Sequence, residues 1–198
     1  MKRIFLLLLL LFCLPGCGSL TPAPPVTSSS SSPLIPLSPY YPLLAPKTFG
    51  RSYVAQHLLE GHARGEKFAL RVHVEITPDT ILLLGFTPWQ TRAFLLRYDG
   101  NTLHFENFTD RELPFAPEFI LSDLQQVLWP HLPDHNDWQV TNDSHTHERR
   151  VFFQQRLITY IRYYGDSLTN GDVELGNIPW DYQLRIHIHQ DESGQLDN

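Results

Sequence analysis

The sequence predicts a mainly β, α+β protein: one strongly curved antiparallel sheet of about ten strands, wrapped on a single helix. Three observations carry that prediction. Phe68, Leu70, Val72, Val74 and Ile76 alternate with Arg71, His73 and Glu75, the period of two that gives a strand one buried and one wet face. The pattern returns near the C-terminus, where Tyr182, Leu184, Ile186 and Ile188 oppose Gln183, Arg185, His187 and His189. Only residues 117–130 carry a clear helical period.

The folded part begins near Thr48 and reads as residues 48–190. After the first alternating strand, Pro78-Asp79 turns the chain. Ile81–Leu84 and Phe94–Leu96 follow as strands that are apolar on both faces. Asp99-Gly100, between Tyr98 and Leu103, is a tight-turn signal that closes a hairpin. Pro117 suits a first helical turn and Pro130 stops the segment. Between them Ile120, Leu124, Val127 and Leu128 form an apolar stripe, broadened by Leu121. The chain then returns to strands at Trp138 and Val140, at Arg149–Gln155, and at Leu157–Tyr164, with a tight turn around Gln155. Val173–Leu175 and Tyr182–Ile188 complete the sheet.

A sheet that packs on one helix needs one apolar face, yet residues 81–86 and 157–164 have two. Either a second layer covers them, giving a thicker core, or the concave side encloses an apolar cavity. Periodicity leaves both alternatives open.

The N-terminus carries an address. Lys2 and Arg3 precede an almost unbroken apolar run from Ile4 to Leu14, of signal-peptide length and too short to span a bilayer. It closes on Leu14-Pro15-Gly16-Cys17, which resembles the lipobox of bacterial lipoproteins, with Pro15 a departure from the usual small or β-branched residue. That resemblance implies cleavage after Gly16, so that 1–16 is a signal peptide, and acylation of Cys17, palmitate included. Gly18, where an aspartate would retain the protein at the inner membrane, implies sorting to the outer membrane. Multiple acyl chains anchor stably at ~0.8 kcal/mol per buried methylene. Residues 17–47, rich in Pro and Ser with Ser28–Ser32 in a row, read as a tether with a reach of about 30 Å as a flexible coil. Its apolar part up to Leu44, with Tyr40 and Tyr41, can equally lie on the domain or on the lipid surface. Residues 191–198 read as a disordered tail.

Composition narrows the function. The net charge of −6 becomes −8 once Lys2 and Arg3 leave with the signal peptide, which argues against nucleic acid as a partner. Cys13 is lost with the signal and Cys17 is lipidated, so the mature chain has no disulfide and depends on its core.

The ten histidines include the pairs His187/His189, His145/His147 and His131/His135, but a pair on one strand is half a metal site, and surface histidines are the better reading. Neither metal nor cofactor is expected. Gly-x-Ser-x-Gly is absent, and the acidic neighbours of Ser122 and Ser167 do not make a triad, so the chain does not read as an enzyme. Asp123 reads as a solvent-facing residue near the helix start.

Several segments, in order, are similar to LolB, the outer-membrane lipoprotein that receives lipoproteins from a periplasmic carrier. They run from Asp79-Thr-Ile-Leu-Leu-Leu-Gly-Phe-Thr-Pro-Trp-Gln-Thr and Leu113-Pro-Phe-Ala-Pro to Asp123-Leu-Gln-Gln-Val-Leu-Trp-Pro. Tyr160-Ile-Arg-Tyr and Val173-Glu-Leu-Gly-Asn, leading into Tyr182-Gln-Leu-Arg-Ile, complete the set. The nearest likeness is to LolB-like lipoproteins of aryl-polyene gene clusters, and it covers roughly residues 50–190. It implies a LolA/LolB-like incomplete barrel with helix in the open side around an apolar cavity. It further implies a non-catalytic lipoprotein on the inner leaflet of the outer membrane, facing the periplasm. Such a protein would bind acyl chains, with an acyl lipid, an aryl-polyene or a lipoprotein as cargo and a LolA-like carrier as partner.

The family's membrane-active loop holds an exposed leucine, and Thr87-Pro88-Trp89-Gln90 matches that loop with Trp89 at the leucine. An indole offers a large apolar face and one N–H that stays wet at a bilayer interface; the alternative folds Trp89 back beside Phe86 or Phe94. The expected lipid-binding residues are Leu82, Leu84, Phe86, Phe94, Leu96, Ile158 and Tyr160 on the sheet, Leu124 and Leu128 on the helix, and Trp89 at the mouth. The competing expectation is a scaffold lipoprotein with a filled core that recruits export or synthesis partners.

Overall fold

The computed structural model describes residues 40–63, 65–110, 116–165 and 167–190. The signal peptide, Cys17, the tether up to residue 39, most of the Leu113-Pro-Phe-Ala-Pro segment and the 191–198 tail lie outside the described residues.

Ten strands form one antiparallel sheet: β1 (Tyr53–Ala63), β2 (Glu66–Ile76), β3 (Ile81–Phe86), β4 (Arg92–Tyr98), β5 (Leu103–Asn107), β6 (Trp138–Asp143), β7 (Glu148–Phe153), β8 (Arg156–Tyr163), β9 (Gly171–Asn177) and β10 (Tyr182–Gln190). Their spatial order is β5-β4-β3-β2-β1-β10-β9-β8-β7-β6, so β10 returns to pair with β1 and the sheet ends, unclosed, on β5 and β6. The single α-helix among the described residues, α1 (Pro117–Leu128), joins those two edges in sequence. Mainly β with about ten strands and one helix is therefore correct. Bulges at Gly85/Phe86 and Val151/Phe152 add local twist and bend to the sheet.

Turn chemistry sets the hairpins. Asp99 Oδ1 accepts the amides of Asn101 at 2.9 Å and Thr102 at 2.7 Å, and Gly100 takes φ +95°. The β7–β8 turn uses Gln154 and Gln155 at φ 47° and 64°, the two left-handed positions that match hairpin twist. The sequence did not mark β1 as a strand. Its inward face, Tyr53, Ala55, His57, Leu59, Gly61 and Ala63, mixes small and polar residues, so the period of two is diluted.

The domain starts earlier than residue 48. Tyr41 is buried, its hydroxyl donates to the Pro133 carbonyl, and its own carbonyl accepts from Ser122 Oγ at 3.0 Å. The Leu44 amide donates to Gln125 Oε1 at 2.8 Å, and Gln125 Nε2 returns a bond to the Leu44 carbonyl at 2.7 Å. Residues 40–47 thus lie along α1, and Pro46–Phe49 form a 3-10 turn. The sequence leaves the place of this apolar stretch open because it lacks a period; what holds residues 40–47 on the domain is a pair of polar side chains on a distant helix, Ser122 and Gln125.

The helix end is held by the other edge of the sheet. Pro130 forces Trp129 out of helical geometry and ends α1 at Leu128. The terminal carbonyls then need donors. The buried Arg149 guanidinium supplies them to Gln126 at 2.6 Å, Trp129 at 2.8 Å and Pro130 at 3.2 Å, and its Nε donates to Asn142 at 2.8 Å. The Tyr163 hydroxyl donates to the Val127 carbonyl at 2.9 Å.

Candidate functional site

A cavity of about 340 Å³ lies between α1 and one half of the sheet. Its walls follow from register. On β1 the inward residues His57, Leu59 and Ala63 face it; on β2, Phe68, Leu70, Val72 and Val74; on β10, Tyr182, Leu184 and Ile186. Leu83, Ala93 and Phe94 come from β3 and β4. The helix contributes Ile120, Asp123, Leu124 and Val127, an i, i+3, i+4, i+7 set that lies on one face.

Two glycines make room for rings. A Cβ on Gly85 would lie 2.3 Å from the Phe94 ring, and one on Gly61 would lie 2.7 Å from Leu184 and 2.9 Å from Phe68. Each glycine lets a neighbouring side chain lie flat across the sheet.

Depth can be read from pairing. Tyr182 is level with Ala63 and Glu66, whereas His57 is level with Val72 and Ile188. The β1 wall from His57 to Ala63 spans roughly 20 Å at ~3.3 Å per residue. A cavity that long with so small a volume is a slot for one chain. Its rim is polar, with Glu66, Lys67, Thr87 and Thr109 among the lining residues, and its far part is apolar apart from His57.

Each end holds a titratable group, His57 buried at the far end and Asp123 half-buried toward the rim. At the far end the Tyr53 hydroxyl and His57 Nε2 are 3.0 Å apart, and burial pushes the imidazole down to about 4. Toward the rim Asp123 accepts a hydrogen bond from the Tyr182 hydroxyl. Burial pushes its carboxyl up to about 7 against that bond, and the Tyr182 hydroxyl is pushed upward by burial and by the facing Asp123. The expectation that Asp123 faces solvent is corrected: it shares a helix face with Ile120, Leu124 and Val127. That spacing was the signal in the sequence that could have revealed it.

Of the expected lipid-binding residues, Phe94 and Leu124 line the cavity. Leu82, Leu84 and Phe86 do not. They pair with Glu75, His73 and Arg71, and so stand on the outer, wet face. Tyr160 is also on the outer face: it lies over Gly176, donates to Glu174 Oε1 at 3.2 Å and accepts from Gln183 Nε2 at 2.8 Å. Ile158 sits at the β7–β8 bulge, between the Val151–Thr159 and Phe152–Leu157 pairs, and is buried in the core without lining the cavity. Leu96 and Leu128 point inward but are wholly buried in solid core. Two-sided apolar strands gave no means of choosing a face, and only pairing with a strand of known polarity does so.

Trp89 stands on the β3–β4 turn, 83 % exposed. The turn is closed by Thr87 N to the Thr91 carbonyl at 2.9 Å, Gln90 N to the Thr87 carbonyl at 2.9 Å, and the Thr87 and Thr91 hydroxyls 2.7 Å apart. Thr87 lines the cavity, so the indole is two residues from the rim. It does not fold back on Phe86 or Phe94.

Among the described residues no group of three or more His, Cys, Asp or Glu could hold a metal, and His187 instead meets Asp172 at 2.7 Å. No helix among them is long and apolar enough to cross a membrane.

The family described as "Protein of unknown function (DUF3261)" matches residues 54–190, from β1 to the end of β10. No curated protein matches the chain. Among solved structures, that of a DUF1329 family protein from Desulfovibrio piger is similar at TM-score 0.36 and 8 % identity, covering 72 % of this chain and 86 % of that one.

Proposed function

The chain belongs to the DUF3261 family, and we propose that it is a non-catalytic lipoprotein that holds one acyl chain in the slot between α1 and the sheet. The slot carries the reading: about 340 Å³, walled by aliphatic and aromatic side chains, with a polar rim and His57 as the one polar residue of its far part. Burial of alkyl surface drives binding at about 0.8 kcal/mol per methylene, less the cost of ordering the chain. Release needs only an equally apolar destination, so no nucleotide is involved. Cys17 is acylated and anchors the protein to the inner leaflet of the outer membrane, facing the periplasm. The cargo is an acyl lipid, an aryl-polyene among them, or the lipid part of a lipoprotein handed over by a LolA-like carrier. Trp89, exposed beside the rim, enters the bilayer interface during transfer.

The test is native mass spectrometry of the full chain carrying Cys17→Ser, with organic extraction of what co-purifies. A bound acyl species supports the proposal. A bare chain that also ignores added fatty acids and detergents would overturn it in favour of a scaffold with a closed core.

A further inference from the structure

The slot is apolar except where a carboxyl enters it. Asp123 lies on the cavity face of α1, between Ile120 and Leu124, and its wall position is level with the rim end of β10 through Tyr182. Tyr182 donates to Asp123 Oδ2, and no described residue donates a bond to Oδ1. An ionised carboxylate has about four acceptor positions and is costly to hold in apolar surroundings with one donor. A leucine would fill the same stripe at no such cost. The remaining acceptor capacity therefore points to something that enters the slot.

The charges around it decide what kind of group that is. From β2, Glu66 and Lys67 stand at the rim with opposite signs; from β10, Tyr182 is already engaged; from β1, His57 lies at the far end and stays neutral. Lys67 is the one cationic side chain of the lining, and the acids Glu66 and Asp123 outnumber it. An anionic head would meet a like charge near Asp123, whereas a donor would complete its shell.

We infer that Asp123 is the specificity-determining residue of the slot, selecting alkyl chains whose polar end donates a hydrogen bond, a hydroxyl or an ammonium, over chains ending in a carboxylate. This rests on the acyl-binding reading and adds an orientation: apolar tail toward His57 and Val74, donor-bearing end at Asp123 near the mouth. Titration of the carboxyl sharpens the contrast, since burial holds it near 7 and it gains its full charge only above that.

The experiment is displacement of an environment-sensitive fluorescent probe from the full chain by decanol, decylamine and decanoate, at a pH above the titration of Asp123. Decanol and decylamine should bind at least about tenfold tighter than decanoate, the effect expected of one hydrogen bond to a charged acceptor. Asp123→Asn keeps an acceptor for Tyr182 and should abolish the preference while leaving alkyl binding in place. If that variant does not fold, Tyr182→Phe carries the test, because it frees Oδ2 and the preference must persist or grow. Equal binding of the three ligands, or a preference untouched by Asp123→Asn or lost in Tyr182→Phe, overturns the inference and leaves acyl binding standing. Failure of all three to displace the probe overturns both.

Discussion

The two halves of the sheet meet the same helix in opposite ways. Against β6–β9 the helix end is closed: Val151, Ile161 and Leu175 are wholly buried, and Arg149 and Tyr163 occupy the helix carbonyls. Against β10 and β1–β4 the same helix leaves an open slot, and no residue of β6–β9 lines it. Both halves bury apolar residues with the same period of two. The lesson is that hydrophobic pattern identifies an inward face but does not say whether the inside is full. Filling depends on side-chain volume and on how closely the helix approaches: Arg149 and Tyr163 bond the helix carbonyls on the filled side, whereas on the slot side Tyr182 bonds only the Asp123 side chain.

The strongest way to break the contrast is to remove the Arg149 contacts. Arg149→Leu should lower stability by about 3–5 kcal/mol in urea denaturation, since it strands several buried acceptors. Arg149→Lys should recover little, because a compact ammonium cannot serve three carbonyls and Asn142 together. Full stability in either variant would show that the helix is held by packing alone.

The two titratable groups of the slot give opposing pH slopes, each at most about 1.4 kcal/mol per pH unit. Asp123 has its carboxyl raised from 3.8 to about 7, so the folded chain binds a proton the unfolded chain releases, and stability falls as pH rises from about 4 to about 7. His57 is lowered from 6.5 to about 4, so its contribution is lost as pH falls through that window. Denaturation of the wild type should therefore vary weakly with pH between 4 and 6.5. Asp123→Asn should expose a slope rising with pH and His57→Phe one falling with pH. Parallel profiles for all three would mean that neither group is buried in solution.

Packing differs next. Ile161→Phe, in the filled half, should cost about 1–3 kcal/mol by overpacking. Leu124→Phe projects into the slot, so its cost should stay below about 1 kcal/mol while alkyl binding drops at least about tenfold, read by thermal melts and by probe displacement. Equal destabilisation of the two would mean that the slot is closed in solution.

The smallest effect on stability belongs to the rim. Trp89→Glu should change unfolding free energy by less than about 0.5 kcal/mol, as expected of an exposed side chain. It should nevertheless reduce transfer of bound lipid to vesicles; unchanged transfer would remove the indole from the mechanism.

Much of this architecture is legible without coordinates. The strands 68–76 and 182–188, the Asp99-Gly100 hairpin, the Gln155 turn and the helix between Pro117 and Pro130 all follow from local physics: a period, a proline, a left-handed turn position. Those signals lie within a few residues of one another, so the chain declares them. Phe94 and Leu124 were legible as wall residues. Leu82, Leu84, Phe86 and Tyr160 were not, because a strand apolar on both sides takes its orientation from the neighbour it pairs with, and Glu75, His73 and Arg71 lie a hairpin away. β1 was hidden because its inward face carries His57 and Gly61, whose value lies in a tyrosine partner and in space for Phe68 and Leu184.

By itself, then, the sequence determined the class of fold, the number of strands, the helix and its apolar stripe. Tertiary structure alone decided which sheet face is concave and that residues 40–47 lie along the helix. It also decided that Arg149 closes one half, and that Asp123 turns from an expected surface charge into the polar end of a slot. The division is physical: periodicity and turn chemistry act between neighbours in the chain. Burial, the raising of a carboxyl and the unfilled volume beside α1 depend on groups tens of residues apart that meet only once the sheet has curved.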